Sequence, residues 1–98
     1  MIYAVIFEDA PNLGSDPRHQ HMAAHLAFLA ENAASIKIAG PLTEASGDPA
    51  GGLWLVDAET PEAVDSLVRA DPFWPTGLRR SVRILAWHQV FAGGKRRI

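Results

Sequence analysis

The sequence predicts an α+β domain with a four-stranded antiparallel sheet, and three observations support this class. Strand-like and helix-like segments follow one another in the order β-α-β-β-α-β. The first and last strand-like segments, residues 2–7 and 82–91, are apolar on both faces, whereas a half-exposed strand alternates with a period of two. The chain has 98 residues, which is enough for one domain with one core.

The first third of the chain is predicted to form a strand and a helix. Residues 1–8 are the strand, and residues 9–15 are a loop of turn-forming residues. Asp16 fits an N-cap with Pro17 at the first helical position, and the helix is expected to run to about Ala34. Apolar residues at spacings of four, three and four predict that its buried stripe consists of Met22, Leu26, Leu29 and Ala33.

Glycine and proline divide the middle of the chain. A short second strand over residues 35–39 is predicted to stop at Gly40-Pro41. Residues 43–52 are rich in turn formers and predict a flexible loop of roughly ten residues. Residues 53–56 are predicted to form the third strand.

The last part of the chain repeats the order of helix and strand. Thr60 caps a second helix that has Pro61 at its first position and is expected to end near Ala70. Residues 71–77 contain too much proline for a long helix, and the fourth strand is predicted over residues 80–91. The apolar face of the second helix is predicted to consist of Ala63, Val64, Leu67 and Val68.

This order of elements is that of the ferredoxin-like arrangement, in which both helices cover one face of the sheet. Residues 1–98 would form a single domain, with a flexible tail over residues 93–98. The other face would be bare and apolar, which is unusual for a stable monomer. We therefore expect a homodimer that packs sheet face against sheet face with two-fold symmetry.

Composition excludes several classes of partner. The net charge is −2 and the one basic run, Lys95-Arg96-Arg97, is typical of a solvated terminus, so no nucleic-acid partner is expected. No apolar run approaches the ~20 residues that span a bilayer, so no membrane partner is expected. The chain has no cysteine, which excludes disulfides and thiolate metal sites. A cytoplasmic location is the expectation by elimination.

His25 and Asp71 are the two candidates for proton chemistry. His25 lies about 60° from Met22 around the helix, at the edge of the predicted stripe, so that one ring nitrogen can be buried and the other reachable. Imidazole exchanges protons near neutral pH and suits a general acid or base. Asp71 precedes Pro72 and fits the N-cap of a short turn, or a carboxylate that bonds His25, or both. A boundary histidine that bonds only a carbonyl would have the same placement.

Metal and cofactor sites receive little support. His21 and His25 stand four residues apart and His19 is close by, but no third ligand is evident in a metal-binding pattern, so neither a metal nor a cofactor is expected. His88 on the fourth strand is expected to be a packed or interfacial residue. Haem- or oxygen-dependent monooxygenase chemistry, the third alternative, lacks a clear axial-ligand context.

The remaining residues of interest are arginines and tryptophans. For the arginines that begin the last strand, a solvated strand end is favoured over a fork for a substrate carboxylate. The three tryptophans are interpreted as core or interface aromatics, one of which could form the floor of a pocket. These residues are Arg79, Arg80, Arg83, Trp54, Trp74 and Trp87.

Three segments together resemble the YciI-like (YCII-related) proteins. Residues 18–29, with Ala24-His25-Leu26, resemble the helix-1 signature of that family. Residues 39–42, Ala-Gly-Pro-Leu, resemble the end of its second strand, and residues 70–73, Ala-Asp-Pro-Phe, resemble its Asp-Pro-Phe/Tyr segment. The similarity covers nearly the whole chain. The chain departs from the family pattern at Trp74-Pro75, which we expect to shape the wall of a pocket.

The resemblance implies a dimeric ferredoxin-like fold, an α/β-barrel-type assembly and an active-site pair that maps onto His25 and Asp71. The matching segments imply a substrate-binding role for Arg18, Gly40, Pro41 and Phe73. One branch of the family is associated with a dehydrochlorinase of a chlorinated hydroxyquinol, and most members have no assigned reaction.

These observations favour a small cofactor-free enzyme. His25 would move a proton on a small cyclic or phenolic metabolite, with Asp71 orienting it, in an elimination, isomerisation or tautomerisation. A non-catalytic module that binds a small molecule or a partner through the same cleft is the alternative.

Overall fold

The computed structural model describes residues 1–11 and 17–98. Helix α1 begins at Pro17, as predicted, whereas the proposed cap Asp16 lies outside the described residues. The elements in chain order are β1 (Ile2–Asp9), α1 (Pro17–Glu31), β2 (Ile36–Thr43), β3 (Pro49–Asp57), α2 (Pro61–Ala70), a 3₁₀ turn (Trp74–Thr76), β4 (Arg79–Ala86), β5 (Phe91–Ala92) and β6 (Lys95–Arg96).

Four strands form one antiparallel sheet in the order β2-β3-β1-β4. β1 and β3 are therefore the central pair, although 39 residues separate the end of one from the start of the other. This order, with two helices in the connections, is the ferredoxin-like α+β fold that the sequence predicts.

One face of the sheet carries the core. In β1 the buried residues alternate, and Val5 pairs with Trp54 of β3 while Tyr3 pairs with Val56. α2 adds the fully buried Val64 and Val68. α1 packs Phe28 and Leu29 against the same cluster. Both helices thus cover one face, because the apolar side chains of both contact the same parity of β1 and β3.

The opposite face has no helix over it. Ala4 pairs with Leu55 on one side and Leu85 on the other, so these side chains share the helix-free face. Leu85 is 39% exposed and Ile38, on the edge strand β2, is 63% exposed. β1 is apolar on both faces, and within the single chain the helices cover only one of them.

The predicted buried stripe of α1 is wrong except at Leu29, which packs against the core. Met22 and Leu26 are exposed, and Ala33 lies beyond the end of the helix at Glu31. The buried side of α1 is instead centred on His25, which is 8% exposed, with Phe28 half-buried next to it. The helix is rotated because His25 bonds a buried carboxylate and Phe28 packs near Trp54, at 6.3 Å between ring centres.

The predicted end of the second strand is also wrong. β2 continues through Gly40 and Pro41 to Thr43, so the loop is shortened to residues 44–48. Proline is tolerated because β2 is an edge strand, and the register shifts between Pro41 and Thr43. Gly51 lies within β3 at φ +98°, where a side chain would overlap the carbonyl oxygen of Phe7.

The fourth strand is shorter than predicted. β4 ends at Ala86 because its partner β1 begins at Ile2, and the Trp87 amide donates to the Ile2 carbonyl at 2.8 Å as the chain leaves the sheet. β5 and β6 then pair around Gly93 and Gly94, both with positive φ. The flexibility of residues 93–98 stays a prediction.

Candidate active site

A pocket of about 120 Å3 opens between α1 and the sheet. Its charged or ionisable side chains are Arg18 and His25 from α1 and Arg79 from the start of β4. Its other walls are apolar or backbone. They comprise Phe7, Met22, Leu26, Leu29, Ala39, Gly40, Pro41, Gly52, Trp54 and Phe73.

His25, which lines this pocket, lies in direct contact with Asp71. Nδ1 of His25 is 2.8 Å from Oδ1 of Asp71, and the Asp71 side chain is fully buried. The imidazole also stacks on the ring of Phe73, with 4.1 Å between ring centres and 17° between planes. The hydrogen bond that the sequence analysis expected is therefore present, and the ring has one orientation because both a carboxylate and an aromatic face hold it.

Hydrogen bonds to nearby residues hold Asp71 in place independently of His25. Its backbone amide donates to the Val68 carbonyl at 3.3 Å and so ends α2. Its Oδ1 also accepts from the backbone amide of Phe73 at 3.1 Å. Asp71 is thus the C-cap of α2, whereas Phe73 takes the predicted N-cap position of the 3₁₀ turn. One oxygen of Asp71 bonds both the Phe73 amide and His25.

Arg79 completes the buried cluster, a position for which the sequence favoured a solvated strand end. It donates from Nη1 to Oδ2 of Asp71 at 2.7 Å, and its side chain is only 6% exposed. The guanidinium carbon lies 3.9 Å from the centre of the Phe7 ring and 5.2 Å from that of Trp54. The prediction of a solvated strand end is wrong for Arg79, although Arg80 and Arg83 are exposed.

No local signal distinguishes Arg79 from the arginine that follows it. Arg79 is the first residue of β4 and pairs with Asp9, where β1 has a register shift. The alternation of strand side chains places Arg79 and Arg80 on opposite faces, but the sequence does not say which faces the pocket.

The electrostatics of the cluster favour an ionised Asp71. Burial alone raises the pKa of this carboxyl, but the hydrogen bonds from His25 and the Phe73 amide, with the charge of Arg79, lower it below its ordinary value. Burial lowers the pKa of Arg79, and Asp71 opposes that effect. Arginine remains protonated in proteins, so the two groups form a buried ion pair.

The tautomer of His25 follows from these charges. An ionised Asp71 only accepts hydrogen bonds, so Nδ1 of His25 carries a proton and Nε2 of the neutral ring has the free lone pair. Across the described residues, no fully buried side-chain nitrogen or oxygen lacks a hydrogen-bond partner. Nε2 has no partner among them, so it reaches open volume, and His25 lines the pocket.

Arg18 also lines the pocket and forms a second ion pair. Its two terminal nitrogens donate to the two carboxylate oxygens of Asp9 at 2.9 and 3.1 Å. One of them also lies 3.5 Å from the Gly51 carbonyl. This fork fixes the guanidinium of Arg18 against β1 and β3.

The other predicted substrate-binding residues lie in the same pocket. Gly40, Pro41 and Phe73 all line it, and so does Trp54, which is also part of the core. Trp74 and Pro75 do not line it, so the expectation that they shape its wall is wrong. Trp74 instead packs beneath Arg69, with 5.0 Å from the guanidinium to the ring centre.

The other histidines lie apart from the cluster. His19 and His88 are exposed and His21 is half-buried. Within residues 1–11 and 17–98, no group of three histidine, cysteine, aspartate or glutamate side chains is arranged to hold a metal ion. No helix in the described part of the chain is long and apolar enough to cross a membrane.

The fold and the buried His–Asp pair define a class of small α+β proteins, and comparison identifies the family. The sequence model of the YCII-related domain family matches residues 1–88, so the chain belongs to the YCII-related family. A search of the curated proteins finds no match.

A solved structure with a similar fold is that of 5-chloro-2-hydroxyhydroquinone dehydrochlorinase (TftG) from Burkholderia phenoliruptrix AC1100, in complex with 2,5-dihydroxybenzoquinone. The two sequences are 30% identical, and the TM-score is 0.76. The match covers 90% of this chain and 94% of the dehydrochlorinase chain.

Proposed function

We propose that this protein is a small cofactor-free enzyme that catalyses an elimination or isomerisation on a single-ring phenolic or quinone-like metabolite. His25 is the general base and Asp71 is its positioning residue. The observation that carries the proposal is the 2.8 Å bond between a fully buried carboxylate and Nδ1 of His25, which lines a largely apolar pocket. Similarity to a dehydrochlorinase of a hydroxylated ring supports the reaction class.

The arrangement suits proton transfer at Nε2. Asp71 accepts the Nδ1 proton and stabilises the imidazolium that forms when Nε2 takes a proton from the substrate. The stacked ring of Phe73 restrains rotation of the imidazole. In a dehydrochlorination the substrate loses one proton and one chloride ion, so atoms and electrons balance without an external oxidant.

The role of His25 can be tested with 5-chloro-2-hydroxyhydroquinone as the probe and chloride release as the measurement. His25→Gln keeps a polar side chain but cannot exchange protons near neutral pH, so we expect kcat to fall by about 100- to 10,000-fold. His21→Gln is the matched control, since His21 lies one turn earlier on α1 and outside the pocket. An unchanged rate for His25→Gln would contradict the assignment of the base.

The same assay separates the enzyme from its alternative. If the wild-type protein releases no chloride but binds 2,5-dihydroxybenzoquinone in its pocket, the non-catalytic binding module becomes the better description. A rate that requires an added oxidant would point to different chemistry altogether.

We further propose that two copies of the chain pack through the helix-free face. Leu85 and Trp87 are 39% and 44% exposed, and with Ala4, Leu53 and Leu55 they line a shallow apolar depression on that face. Burying such a patch against a second copy would stabilise both. We expect a dimer by analytical ultracentrifugation at micromolar concentration, and Leu55→Asp should convert it to a folded monomer. A wild-type monomer under these conditions would exclude this interface.

A further inference from the structure

We propose that Arg79 binds an anionic oxygen of the substrate, so that the pocket selects single-ring compounds that carry an ionisable hydroxyl group. This inference rests on the proposed function, because it names the substrate class of that site. It assigns Arg79 a contact with the ligand in addition to its ion pair with Asp71.

The orientation of the guanidinium leaves donors for a ligand. Its flat face is covered by the ring of Phe7 at 3.9 Å, and the N–H groups of a planar guanidinium point outward along its edge. One edge donates from Nη1 to Asp71. Among the residues that the structure describes, the other N–H groups of Arg79 have no hydrogen-bond acceptor. No fully buried side-chain nitrogen among these residues lacks a hydrogen-bond partner. Those donors therefore reach open volume, and Arg79 lines the pocket.

Arg79 lies beside the proposed base, where it can stabilise the charge that proton removal creates. His25 and Arg79 bond different oxygens of the same carboxylate, so the two side chains are held next to each other. When a base removes a proton from a ring hydroxyl, negative charge develops on that oxygen. A guanidinium fixed at that point in an apolar pocket stabilises the charge more than water would.

The charges of the whole pocket agree with a ligand that becomes an anion. Arg18 is paired with Asp9 and Arg79 with Asp71, so the arginines and carboxylates cancel. Transfer of a proton to His25 adds one positive charge, which an anionic substrate balances. A neutral substrate that gives its proton to His25 becomes that anion, so the net charge of the occupied pocket does not change.

The size and the walls of the pocket restrict the class further. An apolar cavity of roughly 150 Å3 is enough to hold benzene. A pocket of about 120 Å3 that opens to solvent and is walled in part by Phe7, Trp54 and Phe73 is close to this size, so it suits one six-membered ring. The ligand class is a planar single ring with an acidic hydroxyl group.

Two quinones of equal size test the proposal by binding alone. 2,5-Dihydroxybenzoquinone ionises in neutral buffer, whereas 2,5-dimethylbenzoquinone has the same ring and carbonyls with methyl groups in place of the hydroxyls. Their dissociation constants would be measured by quenching of tryptophan fluorescence, since Trp54 lines the pocket. Thiol addition by the quinones is excluded, because the chain has no cysteine.

The wild-type protein should bind the dihydroxy compound at least about tenfold more tightly than the dimethyl compound. Arg79→Gln should weaken binding of the dihydroxy compound by about 10- to 100-fold and leave binding of the dimethyl compound nearly unchanged, because a charge-assisted hydrogen bond is lost. Arg79→Lys should restore part of the preference. Arg80→Gln is the matched control, since Arg80 is exposed on the same strand.

Three results would overturn the proposal: no preference in the wild-type protein, an equal loss of affinity for both quinones in Arg79→Gln, or no loss at all. If Arg79→Gln does not fold, the double variant Arg79→Gln/Asp71→Asn removes the unpaired buried charge and should show the same selective loss. A double variant that keeps the preference would also overturn it. His25→Gln should retain the preference even where turnover is lost, which separates this inference from the proposed catalytic role of His25.

Discussion

Two neighbouring arginines form ion pairs with carboxylates in this protein, and their surroundings are opposite. Arg79 pairs with Asp71 in a cluster whose side chains are 6% and 0% exposed. Arg80 pairs with Glu8, and those side chains are 58% and 56% exposed. Ser81 also donates to Glu8, at 2.9 Å. Both pairs join an arginine to a carboxylate, and burial is the largest difference between them.

Burial changes what each ion pair contributes. An exposed pair is screened by water and salt and contributes little to stability. A buried pair contributes little net stability against an apolar substitute, but removal of one member leaves an uncompensated charge in the core. Only the Arg79–Asp71 pair also contacts a histidine and a pocket, so the pair that is costly to disrupt is the one placed for function.

The largest expected difference between the two pairs is in stability. Asp71→Asn leaves the buried Arg79 without its counter-charge, and we expect the free energy of unfolding to fall by about 3–5 kcal/mol. Glu8→Gln, the matched change at the exposed pair, should leave the urea midpoint close to that of the wild-type protein. The two midpoints would be measured by circular dichroism at neutral pH. Equal shifts for the two variants would mean that burial does not distinguish the pairs.

A smaller difference between Asp71 and Glu8 is expected in how each affects the stability of the fold at low pH. The pKa of Asp71 is lowered in the folded state, despite burial, by hydrogen bonds from His25 and Phe73 and by Arg79. Its ionised form therefore stabilises the fold at pH values above the ordinary pKa of 3.8, and this contribution is lost as the pH falls through the lowered value.

The pKa of Glu8 is also lowered, chiefly by the hydrogen bond from Ser81 and then by Arg80. Because Glu8 is exposed, the part of its contribution that comes from the charge of Arg80 should disappear in about 1 M salt, whereas that of Asp71 should persist. Urea titrations between pH 5 and pH 2 at low and high salt would measure both, to the extent that the fold survives. Loss of the entire acid dependence at high salt would contradict the buried placement of Asp71.

The sequence was most informative where a feature depends on near neighbours. Pro17, Thr60 and Pro61 mark the starts of helices, and the structure begins both helices at the predicted prolines. Thr60 accepts from the Ala63 amide at 3.2 Å, as an N-cap does. The order of the elements and the ferredoxin-like topology follow from such local signals.

Features that depend on distant contacts were predicted less well. The apolar residues of α1 indicated a stripe through Met22 and Leu26, but the buried bond of His25 rotated the helix away from it. Edge placement allowed β2 to continue past Pro41. The sequence around His25 and Asp71 indicated both as candidates, whereas no sequence feature near Arg79 indicated that it is buried.

The sequence by itself determined the order of helices and strands, the prolines at which both helices begin and the Thr60 cap, because these depend on residues close together in the chain. It also indicated His25 and Asp71 as candidates. The tertiary structure alone decided which arginine is buried and which side of α1 faces the sheet. The reason is that the cluster joins Asp71 to Arg79 across 8 residues and to His25 across 46, and such contacts form only when the sheet and both helices are in place. Burial then determines which charged groups can act on a ligand.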